Sequence, residues 1–165
     1  VKDFHHLMDG STIDMPRVYG IEEASHRSDF KLEEIVEFLY ASSGGDKRVF
    51  GQAVLDLHAA LDKAALKVSS KEHSESTMVD QVDALTDLLY LTYGSFVLMG
   101  VDPKPFFDTV HEANMGKIFP DGKAHFDPVT HKILKPSDWE ERFAPEPHIK
   151  RELDRQIQKS LQRNR

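Results

Sequence analysis

A helix that is apolar on every side belongs inside a bundle, and the stretch Met78–Val101, MVDQVDALTDLLYLTYGSFVLMGV, is written that way from Ala84 onward. One charge, Asp87, interrupts it. An isolated carboxylate in a dry interior is costly enough that it must be neutralised, paired or bound to a metal. Asp83 stands four residues earlier and Asp80 seven, so three acids share one face of the helix and call for a cation. Asp80 has a competing reading as part of a capping box with Thr77. A membrane span is excluded, because the uncharged run Leu88–Val101 is shorter than the roughly 20 residues a bilayer needs and no Lys or Arg flanks it.

The first long helix is expected over Ile21–Ser42, ended by Ser43-Gly44-Gly45, and holds a second set of acids in SDFKLEEIVEFLYA. Phe30, Glu34, Glu37 and Ala41 recur at spacings of four, three and four, so two glutamates occupy seam positions where a core would take Leu. Glu33 lies beside them, with a solvated helix face as its competing reading. Facing the two seams brings Glu34, Glu37, Asp83 and Asp87 together. Four carboxylates in one interior cannot all stay ionised without compensation. Hard cations bound through oxygen supply it, and Mg²⁺ or Mn²⁺ favours carboxylates, water and substrate phosphates. A di-iron bundle would need a Glu-x-x-His motif on two helices; Glu23 to His26 supplies one, too early to share a level with Glu34.

The rest of the chain reads as scaffold. Lys47–Val68 carries Phe50, Val54, Leu57, Leu61, Ala64 and Val68 as a core seam, and SSKEHSES at 69–76 is a polar linker. Asp102 and Pro103 read as N-cap and first residue of a fourth helix reaching Lys117, its seam turning polar at Asn114. Four helices with short links make a bundle. Phe119–Pro136 suggests a small hairpin, and the charged end from Glu146 a helical tail. The whole is expected to be one helical domain over 1–165, with a bundle at 1–119 and loop, hairpin and tail at 120–165. Gly94 inside the central helix suggests a close helix contact, and Trp139 an anchor for the tail. The chain has 165 residues, no cysteine and a net charge of −7. That balance argues against a nucleic-acid surface, and the absence of thiols fits a reducing cytoplasm. The opening VKDFHHLMDG lacks the apolar core of a secretory signal.

The ordered blocks EExxE at Glu33, Glu34 and Glu37, Asp83 and Asp87 before LLYLTYG, and VHEANMGK at 110–117 resemble the all-alpha nucleoside triphosphate pyrophosphohydrolases, which include MazG-like proteins and phosphoribosyl-ATP pyrophosphohydrolase. The resemblance covers roughly Phe4–Pro136. It implies hydrolysis between the α and β phosphates, giving a monophosphate and pyrophosphate. It also implies Glu34, Glu37 and Asp87 as ligands of Mg²⁺, completed by Asp83, with Glu33 as base for the attacking water. Asn114 and Lys117 would contact the nucleotide, with Arg27 and Lys135 as further phosphate contacts. The second block departs from the usual ExxD: Ala84 stands three before Asp87, and Asp80 competes with Asp83 for the role. Such bundles complete their apolar surface by pairing, so a homodimer or higher homo-oligomer is expected. The alternative reading is a non-catalytic helical interaction module on the same scaffold.

Overall fold

The computed structural model describes residues 1–10, 13–72, 75–130 and 132–163; the expected linker at 73–74, the turn segment at 131 and the tail at 164–165 lie outside them. Helices α1 (Lys2–Asp9), α2 (Ile21–Ser42), α3 (Lys47–Ser69), α4 (Thr77–Leu98), α5 (Lys104–Met115), α6 (Trp139–Phe143) and α7 (Glu146–Arg163) follow in order. No strand occurs among the described residues, so the expected all-α class is the observed one. The anticipated hairpin reduces to a single antiparallel bridge between Phe126 and Ile133. Its turn is held by Asp127, whose Oδ1 accepts from the backbone N–H of Val129 at 3.0 Å and of Thr130 at 2.6 Å. The chain divides into two compact units, Arg17–Ala84 and Val1–Pro16 with Leu85–Arg165.

In the Arg17–Ala84 unit, α2 and α3 form a helical hairpin whose bend follows from its sequence. Gly44 and Gly45 take φ of 61° and 85°, a left-handed conformation that costs any side-chain-bearing residue, and α2 stops there. Asp46 then caps α3, accepting from Arg48 N at 2.8 Å and Val49 N at 3.1 Å. Tyr40 meets Phe50 edge to face across the bend, with ring centroids 5.2 Å apart. At the other end, Glu23 reaches back to the Gly20 N–H and is gripped by Arg17 through two bonds of 2.6 and 2.7 Å. The Gln81 amide pairs with both the N–H and the carbonyl of Tyr19, tying the approach to α2 onto the start of α4.

The other unit is centred on α5. Met8, Phe106, Ala113 and Trp139 are buried there. The helix was expected to open with Asp102 as cap; it begins one residue later, at Lys104, although Asp102 Oδ1 still accepts the Lys104 N–H at 3.1 Å. Its last four carbonyls all find donors: Glu112 O bonds Gly116 N, Asn114 O bonds Lys117 N and Met115 O bonds Ile118 N, while Ala113 O takes the indole N–H of Trp139 at 2.9 Å. Trp139 is thus the anchor the sequence suggested. From α7, the Gln156 amide brackets the backbone of Asp102 at 2.9 and 3.1 Å.

Burial corrects three expectations. The central helix has no buried residue, with Tyr90 76 % and Leu98 91 % exposed. The α3 seam is half-buried at Phe50, Val54 and Leu57 and exposed at Leu61, Ala64 and Val68. A Cβ on Gly94 would meet nothing within 4 Å. Periodicity identifies an apolar face, and among the described residues these faces stay largely exposed.

Candidate active site

The expected acids sit on two helices. Glu33, Glu34 and Glu37 occupy the middle of α2, where successive turns stack them on neighbouring lines of one side, and all three are exposed. Phe30 and Phe38, one turn either side of Glu34, are about half exposed as well, so the seam that was to bury Glu34 lies open in the single chain. Asp83 and Asp87 are exposed on α4, which corrects the expectation of a carboxylate in a dry interior. Among the described residues, no three Asp, Glu or His side chains stand close enough together to hold a metal ion. Glu34, Glu37 and Asp83 belong to the Arg17–Ala84 unit and Asp87 to the other. In kind, the set suits a hard divalent cation, since every donor is a carboxylate oxygen.

Arg27 lies on α2, its guanidinium carbon 5.6 Å from the Phe30 ring centroid and its carbonyl accepting from Lys31 Nζ at 2.9 Å. The other expected phosphate contacts belong to the unit around α5. There Lys117 Nζ donates to Asn114 Oδ1 at 2.8 Å, while the Asn114 amide N–H donates back to Val110 O at 3.0 Å. Lys117 is half-buried. Burial, and then the Lys135 ammonium, push its pKa below the ordinary lysine value. Lys135 is held over the Trp139 ring at 3.8 Å and bonds Glu140 at 3.2 Å. Through Trp139, whose indole N–H bonds the Ala113 carbonyl, Lys135 is held near the end of α5 that Lys117 follows.

Sequence reasoning missed the support beneath this pair. Trp139 both closes the end of α5 and carries Lys135, a double role no spacing announces because α6 lies well beyond the VHEANMGK block. It also missed the cavity of about 190 Å³ between α1 and α5, lined by Val1, Phe4, His5, Phe107, Val110, His111 and Asn114. The rings of Phe4 and His5 meet edge to face there, with centroids 5.7 Å apart.

No helix among the described residues is long and apolar enough to cross a membrane. Residues 1–114 match the phosphoribosyl-ATP pyrophosphohydrolase family. The fold is shared with the crystal structure of an inferred NTP pyrophosphohydrolase from Exiguobacterium sp. 255-15, at a TM-score of 0.87 and 35 % identity over 96 % of this chain and 94 % of that one. No curated protein matches the chain. With two thirds of its length inside the family and its whole fold matched at that identity, the chain belongs to the phosphoribosyl-ATP pyrophosphohydrolase family of all-alpha NTP pyrophosphohydrolases and is a pyrophosphohydrolase enzyme.

Proposed function

We propose that the enzyme hydrolyses a nucleoside triphosphate between its α and β phosphates, in the cytoplasm, as a homodimer or larger homo-oligomer with Mg²⁺ as cofactor and Mn²⁺ as a substitute. The observation that carries the reading is the run of three carboxylates in EExxE on α2, none of which makes an ion pair among the described residues. Such a run is left uncompensated on a helix that otherwise alternates with apolar residues. Glu34, Glu37, Asp83 and Asp87 are the ligands proposed for the ion, brought together on assembly. When bound, the ion supplies charge neutralisation of the phosphates and acidifies a water molecule.

The chain's own groups supply the remainder. A carboxylate oxygen of Glu33 takes a proton from water as the water oxygen bonds to the α-phosphorus. The bond from that phosphorus to the bridging oxygen breaks, and its electrons leave with pyrophosphate. Lys117, Lys135 and Arg27 hold phosphate oxygens, and Asn114 fixes the Lys117 ammonium by its hydrogen bond. Assembly is supported by surface. The chain exposes 13662 Å², whereas a folded monomer of its mass exposes about 8,300 Å². The surface beyond that of a compact monomer is available to an interface between copies.

A panel of nucleoside triphosphates incubated with Mg²⁺, with pyrophosphate and orthophosphate read separately, tests the reaction. The expected products are monophosphate and pyrophosphate, and turnover stops with a chelator. Glu37→Gln and Asp87→Asn should each reduce kcat at least about 100-fold, and Glu33→Gln by about 10² to 10⁴. Release of orthophosphate alone would overturn the reading.

A further inference from the structure

Apart from Asn114, the residues lining the cavity between α1 and α5 have no part in the scheme above. Phe107, Val110, His111 and Asn114 recur at i, i+3, i+4 and i+7, so one face of α5 forms its wall. Phe4 and His5 of α1 line it as well. Four of the seven lining side chains are flat rings, Val1, Val110 and Asn114 complete the lining, and the volume of about 190 Å³ suits a single heterocycle. Aromatic faces of this kind bind flat heterocycles by stacking, with little regard to their substituents. The slot also has a direction. Asn114 lines it and accepts a hydrogen bond from Lys117 at 2.8 Å, so the ring site adjoins an ammonium group. A ring at one end and anions at the other is the layout of a nucleotide.

We propose that this slot seats the nucleobase of the substrate, stacked among the rings of Phe4, His5, Phe107 and His111, with Asn114 at the passage to the phosphates. The assignment rests on the nucleotide reading above and deepens it. His111 is the specificity-determining residue. Asn114 has both its side-chain oxygen and nitrogen engaged within the chain, whereas the His111 imidazole makes no hydrogen bond among the described residues and can meet the polar edge of a base. Stacking without a dense set of edge contacts discriminates weakly, so several bases are accepted and His111 ranks them.

The test uses the full chain and two readouts. In calorimetric titrations, nucleoside 5′-monophosphates should bind at least about tenfold more tightly than ribose 5-phosphate, which lacks the ring. The imidazole resonances of His111 should shift with the former alone. Phe107→Ala should raise KM for nucleoside triphosphates about tenfold while kcat changes less than threefold, Phe107→Tyr should restore KM, and His111→Ala should narrow the spread of kcat/KM among bases. Circular dichroism checks each variant, and Phe4→Ala replaces Phe107→Ala if the latter unfolds. Equal binding of monophosphate and ribose 5-phosphate, or variants that leave KM and the ranking of bases unchanged, overturns the slot. A protein that binds monophosphates through His111 yet releases pyrophosphate from no triphosphate would retain the slot and lose the reaction.

Discussion

Gly116 shows how tightly a single residue can fix this fold. A Cβ built there would lie 2.6 Å from Cδ2 of Phe143, so the end of α5 meets the α6 ring through a gap only a hydrogen fills. Gly116→Ala should lower stability by about 1–3 kcal/mol, read from denaturant midpoints, and Phe143→Leu in the same chain should recover part of that loss. Glu23 makes a prediction of another kind. Its bonds to Arg17, and secondarily to the Gly20 N–H, hold its pKa at about 2 against an ordinary 4.5. A carboxylate with a depressed folded pKa stabilises the native state above its unfolded value and loses that contribution as pH falls towards its folded one. The melting temperature should therefore fall between pH 4.5 and about 2, more gently in Glu23→Gln. Glu152, also held at about 2, adds to the slope in both proteins, so the difference between them isolates Glu23.

At the scale of elements, helix limits were legible because they are written in local chemistry. The Gly44-Gly45 stop and the Asp46 cap set the α2–α3 bend within a residue of expectation, and the start of α5 slipped by one because the Asp102 carboxylate accepts the Lys104 N–H without Asp102 itself becoming the cap. Burial was not legible in the same way, since apolar spacing states which face must be covered and is silent about what covers it. The acids of α2 and α4 were found for their seam positions, yet the dry interior inferred for them is absent from the single chain. The docking of α6 was legible only as one tryptophan in a polar stretch. Trp139→Phe keeps the ring and removes the N–H, leaving the Ala113 carbonyl without its buried donor. That should cost about 1–3 kcal/mol, and amide exchange near the end of α5 should quicken before global unfolding.

For the whole molecule the dominant fact is apolar surface. In the Arg17–Ala84 unit no helical residue is buried, and Leu61, Leu66, Val68 and Val82 all stand more than half exposed. A helical hairpin gains most of its stability from packing an amphipathic face, and here that face is covered only in part, at Phe50, Val54 and Leu57. The same surfaces carry Glu34, Glu37, Asp83 and Asp87, which places the question of assembly and the question of a metal site on the same helices. Leu91, 67 % exposed in the chain, separates a free surface from an interface. On a free surface, Leu91→Glu should change stability by no more than about 0.5 kcal/mol. At an interface it buries an unpaired charge, and the chain should sediment as a smaller species with a lower melting temperature and weaker Mn²⁺ binding by calorimetry. Sedimentation of the parent chain at monomer mass at micromolar concentration, with Leu91→Glu indistinguishable from it, would show that the apolar surface is not an interface between copies.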